Sequence, residues 1–383
     1  MNIEVRQVER SAKTKLQIID CDIHPKAGLE DYRPYLSNRW WDYAQTYGAR
    51  SHHGYVKGFP YPKGQPFASR RDSWPPDGGL PASNYEFMRA QHLDLYGIEY
   101  GVMNPLSPSG QGEQNDEYSA ALAFAANEFQ LNHWNAIDPR LKASLIVPYE
   151  DPEASRVEIR CRAGDRRFAH VLMLTRTAEL MGRRRYWPIY EAACEAGLPV
   201  GVHVFGYSGR AVSNTGWPSF YIEEMTEHAS ACQAQVTSLI MEGVFESFPQ
   251  LKFVFIEGGF GWLPSLGHRL DRNWQRMRSG LPHIKRPPSE YLHEHFWVTT
   301  QPMEEPDNPA HLIDLMESIG FDRILFSSDY PHWDFDDPFV AVPQNLSEER
   351  RKQIYSGNAR ALYGFACGGD ILGVVFPLPE PQM

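Results

Sequence analysis

Three short apolar runs in this chain end in side chains that can hold a divalent cation. Gln17-Ile18-Ile19-Asp20-Cys21-Asp22-Ile23-His24 closes on Asp22 and His24, two residues apart. Leu198-Pro199-Val200-Gly201-Val202-His203 closes on His203, and Ile324-Leu325-Phe326-Ser327-Ser328-Asp329 on Asp329. Successive strand side chains alternate faces, so Asp22 and His24 should point the same way. Imidazoles and carboxylates at the C-terminal ends of buried strands are the layout of a metal site at the mouth of a parallel barrel. An enzyme is therefore the leading reading, although an isolated Asp-x-His is as readily a polar strand end. One ion with an open position for water is the simplest assembly. The donors suit zinc, placed first, and also iron(II) or manganese(II).

Positioning those residues requires strands, and eight candidates can be marked. They lie near 17–23, 98–104, 141–147, 169–174, 197–203, 251–257, 295–300 and 323–328. All are short and apolar on both faces, as buried parallel strands are. Helices are expected at Asp116 to Ile137, Trp187 to Ala196, Ile222 to Phe248, Pro309 to Ile319 and Ser347 to Tyr363, the last with Ser347 as N-cap. Eight alternations favour a single α/β domain over 1–383, a distorted (β/α)8 TIM barrel. No Gly-x-Gly-x-x-Gly follows the first strand, which argues against a dinucleotide fold. A long insertion after strand 1, 25–81, is rich in Trp, Tyr, Pro and Arg; it should cover the active site or form a dimer contact. The tail with Pro377, Pro379 and Pro381 is expected to wrap the surface or a neighbouring subunit.

Composition narrows the partners. The chain of 383 residues is 42% hydrophobic and carries a net charge of −11, with no recurring Lys/Arg-rich run. Nucleic acid and anionic membrane are thereby disfavoured, leaving a small-molecule substrate and a homodimer as the expected partners. No apolar stretch approaches the ~20 residues that span a bilayer. Met1 to Arg10 is charged, without the apolar core of a signal peptide, and the 5 cysteines form no Cys-x-x-Cys. A cytoplasmic enzyme with reduced thiols is expected.

Longer motifs add a resemblance. Phe248-Pro249-Gln250-Leu251-Lys252-Phe253-Val254-Phe255-Ile256-Glu257-Gly258-Gly259 runs on to Trp262, Pro264 and Arg269-Leu270-Asp271. Leu325 to His332 and Gly357-Asn358-Ala359-Arg360-Ala361-Leu362-Tyr363-Gly364 complete the set. Together these resemble the amidohydrolase superfamily, in the amidohydrolase-related branch typified by aminocarboxymuconate semialdehyde decarboxylase. The resemblance covers nearly the whole chain. It implies a metal held from strands 1, 5 and 8, with Asp22, His24, His203 and Asp329 as ligands. Two positions depart from that pattern. Asp22 is a shorter carboxylate than the usual Glu, or replaces a His. Glu257 stands where the decarboxylase type has an acid/base His. Glu257 could move protons, ligate the metal or hydrogen-bond the Gly258-Gly259 turn.

Other residues are weighed beside these. Strand 4, Ala169 to Leu174, has no Lys for the carbamate bridge of dinuclear members, so one metal is expected. Arg176 could clamp a substrate carboxylate, and His332 could assist proton transfer. His228, Trp217 and Tyr221 are further substrate-binding candidates; His52-His53 could reach a substrate from the insertion. Trp40, Trp41 and Phe220 add to an expected apolar pocket, although core packing would account for each. The favoured function is hydrolysis of an amide, ester or activated C–C bond in a small, possibly aromatic molecule. Asp329 would take the water proton and Glu257 protonate the leaving group. Second comes non-oxidative decarboxylation of a carboxylate-bearing substrate, with Glu257 or His332 protonating carbon. A barrel that binds a ligand without turnover is the third reading.

Overall fold

Eight parallel strands follow one another around a sheet in chain order, β1 pairing β2 and so on to β7 with β8. This is a computed structural model, and it describes residues 16–48, 66–204, 211–213 and 216–366. The strands are β1 Ile18–Ile23, β2 Ile98–Met103, β3 Leu141–Ile146, β4 Phe168–Leu174, β5 Val200–His203, β6 Phe253–Ile256, β7 Phe296–Thr299 and β8 Ile324–Leu325. Each falls where the sequence places it, because a run buried on both faces must be apolar throughout. The sheet closes where β8 returns to β1. There Cys21 N donates to Phe326 O (3.0 Å) and His24 N to Tyr330 O (2.8 Å), completing a distorted (β/α)8 barrel.

The strand-1 pattern is less regular than simple alternation suggests. Ile19 and Cys21 pack inside the barrel with Tyr100, Val102, Ala169, Val254, Ile256 and Leu325. Ile18 and Ile23 pack outside it, against the helices. Residues 19 and 21 therefore face opposite to 23, which strict alternation forbids. The register explains this: Asp20 pairs Gly101 and Ile23 pairs Met103, so β1 spends one extra residue between them. That bulge re-aims the end of the strand and sends Asp22 and His24 to the mouth together.

Helices fill the outer layer. Trp187–Ala196 and Pro309–Ile319 keep their expected bounds. The stretch expected as one helix over 222–248 is instead Tyr221–Met241 and Val244–Ser247, broken at Gly243 with φ 75°. Asp116–Phe129 continues through a wider turn to Asn135. Ser347 caps the C-terminal helical stretch, its side chain accepting from Arg350 N. Within the insertion, Leu29–Tyr35 and Asn38–Tyr47 are helical. His52-His53 and the tail prolines lie outside the described residues.

Two of the sequence motifs turn out to be joints. Asp271 accepts from Ser289 N (2.9 Å) and Ser289 Oγ (2.6 Å), fastening helix Trp262–Met277 to helix Pro288–His295. Asn358 Nδ2 donates to Phe321 O and Ile324 O, both at 2.7 Å, and ties the last helix to the start of β8. Among the described residues no helix is long and apolar enough to cross a membrane.

Candidate active site

Five donor residues meet at the barrel mouth. His24 Nε2 lies 3.1 Å from Asp22 Oδ1 and 2.8 Å from Asp329 Oδ1. His203 Nε2 lies 3.6 Å from Asp22 Oδ2 and 2.9 Å from Glu257 Oε2. The donors thus form a chain, Asp329–His24–Asp22–His203–Glu257, drawn from β1, β5, β6 and β8. Donors about 2.1 Å from one ion and at right angles to it would stand about 3 Å apart. The donor atoms gather in two overlapping groups, Asp22, His24, His203 and Glu257, and His24, Glu257, Asp329 and His332, each within 4.8 Å of one another. Asp22 Oδ2 and Asp329 Oδ2 are buried without a hydrogen-bond partner among the described residues, as atoms aimed at a cation would be.

A polar layer beneath orients the strand-1 pair. His24 Nδ1 is 2.7 Å from Asn104 O, which fixes Nδ1 as the donor and turns the Nε2 lone pair to the mouth. The Asn104 amide donates to Asp22 Oδ1 at 2.9 Å. Its own oxygen is held by Ser144 Oγ (2.6 Å) and faces His170 Nε2 (3.1 Å). His170 fills space that only Gly201 leaves open, since a Cβ there would come within 2.5 Å of the ring. Sequence reading missed Asn104, Ser144 and His170. The available signal was a polar residue directly after β2, Ser144 beside Lys142 in β3, and His170 as the one polar residue of β4.

The electrostatics show a shortage of positive charge. Burial alone would raise the Asp22 carboxyl, but His24 and His203 outweigh it and hold it far below the usual carboxylate range. Burial opposes a charge on His203, yet Glu257 and then Asp22 raise it to about 9. His24 is likewise raised against burial by Asp22 and Asp329. Asp329 is pushed up to about 6, chiefly by burial. Burial and then Asp329 raise Glu257. Three buried carboxylates therefore draw protons onto two imidazoles; a divalent cation would satisfy the same charge with both rings neutral.

Beside the donors is a narrow pocket lined by Ala68, Tyr221, Met225, Glu257, His332, Trp333 and Asp334, with about 10 Å³ of free space. His332 Nδ1 is 2.7 Å from Asp329 Oδ1, and its ring stacks on His24 with centroids 4.4 Å apart. Burial and then His24 hold it well below its ordinary value, hence neutral. Asp334, which the sequence did not single out, is pushed up to about 8 by burial, then by Asp329 and Glu257. The insertion's return limb contributes Ala68 to the pocket lining. Trp333 N donates to Ala68 O (2.6 Å) and Arg70 N to Pro331 O (2.9 Å), while Lys26 Nζ donates to Phe67 O (2.7 Å).

The remaining sequence candidates are placed differently. Arg176 is buried and its Nη2 meets Glu224 Oε1 at 2.5 Å, so its charge is already balanced. His228 is buried on helix Tyr221–Met241; burial, then Arg176 and His203, lowers it well below its ordinary value. Trp217 is 45% exposed and Phe220 69%, and neither lines the pocket, whereas Tyr221 does. Trp40 packs on Tyr43 and Tyr118 in the outer layer, and Trp41 lies under Arg33, so neither faces the donors.

Comparison with known proteins places this geometry. A family model described as amidohydrolase matches residues 19–365. The gamma-resorcylate decarboxylase of Polaromonas sp. (strain JS666 / ATCC BAA-500) is 28% identical over 294 residues, spanning 72% of this chain and 86% of that protein. Among solved structures, an amidohydrolase from Mycobacterium avium subsp. paratuberculosis K-10 has a TM-score of 0.69 at 22% identity, covering 92% of this chain and 100% of that one. A dihydroxybenzoic acid decarboxylase from Polaromonas sp. JS666, with bound manganese and the inhibitor 2-nitroresorcinol, has a TM-score of 0.63 at 20% identity, covering 92% of this chain and 97% of that one.

Proposed function

The chain belongs to the amidohydrolase family, and from that premise we propose that it is a metal-dependent, non-oxidative decarboxylase of a small hydroxylated aromatic acid. The observation that carries this is the match to gamma-resorcylate decarboxylase over most of both chains, joined to a buried donor cluster with a carboxyl beside it. Sequence reading put hydrolysis first, because Glu257 replaces the acid/base His of the decarboxylase type. The relatives reverse that order: a Glu raised by burial can deliver the same proton. The donor cluster weighs against a barrel that only binds.

Asp22, His24, His203 and Asp329 would hold the ion. Three carboxylates in or beside this set move the assignment from zinc toward manganese(II), the ion present in the Polaromonas structure. When bound, the ion supplies Lewis-acid polarisation and charge neutralisation for the substrate's oxygens. Glu257 donates its proton to the ring carbon that bears the carboxylate. The bond from that carbon to the carboxylate then breaks, its electron pair returns to the ring, and CO2 leaves. Glu257 is left as a carboxylate facing His203 Nε2. His332 holds Asp329 in place through Nδ1 and stays neutral. The free space of about 10 Å³ holds no ring, so Tyr221, Met225 and Trp333 must part to give the substrate apolar walls. Asp334, raised to about 8, can then donate to a ring hydroxyl. We assign 25–81 as the cover of one catalytic domain, since Ala68 lines the pocket. A homodimer is the assembly we assign. The cytoplasm is the compartment, in keeping with the free thiols Cys21, Cys161, Cys194 and Cys232.

The test is turnover of gamma-resorcylate and related hydroxybenzoates in D2O by the manganese-loaded protein. Decarboxylation predicts CO2 release and one deuterium at the vacated ring carbon. Turnover confined to esters or amides, with oxygen from solvent in the product, would return hydrolysis to first place.

A further inference from the structure

The seam between β1 and β8 carries ligands on both sides and has little backbone bonding. Its backbone bonds at Cys21 and His24 bracket a gap. Asp22 N and Ser328 N stand in that gap, next to or at the ligand positions. Both donate to one oxygen of a single side chain: Asp20 Oδ1 accepts from Asp22 N at 3.2 Å and from Ser328 N at 2.9 Å. Asp20 Oδ2 accepts from Ser328 Oγ at 2.5 Å and faces His92 Nε2 at 2.7 Å. Asp20, His92 and Ser328 are all fully buried.

Asp20 lies on the outer side of the barrel wall, the side of Ile18, so it cannot reach the donors. It acts instead on the backbones that carry them. Ser328 precedes Asp329, whose φ of 61° is a strained conformation that its surroundings must impose. Four hydrogen-bond contacts hold this buried carboxylate in one orientation, and His92 Nε2, 2.7 Å from Oδ2, is the one that comes from outside the β1–β8 seam. The His92 ring is in turn stacked on Tyr330, centroids 4.6 Å apart and planes within 11°. His92 arrives on Arg89–Leu93, in the helical stretch that follows the insertion.

We propose that Asp20 and His92 are positioning residues of the metal site, bridging the gap in the β1–β8 ladder with a carboxylate that sets Asp22 and Asp329 at ligand spacing. The proposal rests on the reading of Asp22, His24 and Asp329 as ligands. The same network couples the exit of the insertion to the spacing of the donors.

The test uses the full chain, freed of metal and titrated with Mn(II) against a competing chelator, alongside melting of the ion-free protein and the Mn(II) electron paramagnetic resonance spectrum. His92→Leu and Ser328→Ala should weaken Mn(II) binding by about 10- to 100-fold, the range for partners that orient ligands, and alter the spectrum. His92→Gln, whose amide can still donate to Asp20, should restore both. Asp20→Asn should fall with His92→Leu; should it fail to fold, the other two variants decide. Variants that melt earlier but bind Mn(II) with wild-type affinity and spectrum would reduce the network to packing and overturn the proposal. A wild-type chain that binds no divalent ion would overturn it together with the metal site. A chain that binds Mn(II), loses it in these variants and releases no CO2 would overturn only the decarboxylase reading.

Discussion

Glu257 and Asp329 close β6 and β8 in the same left-handed backbone conformation, with φ of 60° and 61°. Non-glycine residues rarely take it, and each such position costs on the order of 1–3 kcal/mol. Both turns aim a carboxylate at the mouth, and Gly258 follows Glu257 because a Cβ there would sit 2.5 Å from Cys232 Sγ. Glu257→Gly should therefore raise the stability of the ion-free protein by about 1 kcal/mol while abolishing turnover. Glu257→Gln, which keeps the shape and loses the acid, should cut kcat by about 100-fold or more. Denaturant melts and steady-state kinetics check the pair, and full turnover in the Gln variant would remove Glu257 as proton donor.

Metal binding should release protons. Without an ion, His24 and His203 are held protonated at pH 7, His203 with a value of about 9. Imidazoles must be neutral to ligate, so about two protons should leave per ion bound. Calorimetric titration in buffers of different ionisation enthalpy counts them. A count near zero would show that the two rings do not give up protons to the ion, and would overturn their protonation in the ion-free chain.

Chelation should also lower the melting temperature. An ion present at 100 times its Kd contributes about 2.7 kcal/mol to folding. His203→Ala should erase that difference, because the variant has little affinity left to lose. Thermal melts with and without chelator make the comparison.

Asn104 orients Asp22 through its amide, while its backbone carbonyl serves His24. Asn104→Leu keeps the carbonyl and removes the amide, leaving His170 and Ser144 without their shared acceptor. Metal affinity should fall by about tenfold or more. Stability should fall by about 1–3 kcal/mol, the cost of stranding buried polar groups. Equal affinity in variant and wild type would place the Asp22 contact outside the orientation of the site.

His170 makes stability pH-dependent. Burial lowers it from 6.5 to about 3 in the folded chain. Below about pH 6.5 the unfolded chain takes up this proton and the folded one does not. Stability is therefore complete above that pH and is lost as the pH falls toward 3, by about 1.4 kcal/mol per pH unit. Denaturant midpoints between pH 7 and 5 should decline less steeply in His170→Gln, and an unchanged slope would refute the assignment.

Much of this was legible in the residues themselves. Buried parallel strands must be apolar on both faces, so β1 to β8 can be counted in the chain, and Asp22, His24, His203 and Asp329 stand out as polar ends. The insertion's helices at 29–35 and 38–47 were not legible, because aromatic and proline-rich composition hides their periodicity. Nor was the break at Gly243, which local pattern carries straight through.

What only the tertiary structure decided is which polar residues meet. Asp20, Asp22 and His24 are evenly spaced, and plain alternation would put all three on one face. The extra residue between Asp20 and Ile23 sends Asp22 and His24 to the mouth and leaves Asp20 outside, against His92 and Ser328. Glu257 reaches His203 from a strand 54 positions later, and Arg176 meets Glu224 from 48 positions away. Strand identity is local information, written in the burial of each short segment. Convergence depends on register and on how the barrel closes on itself, and no segment of the chain carries that alone.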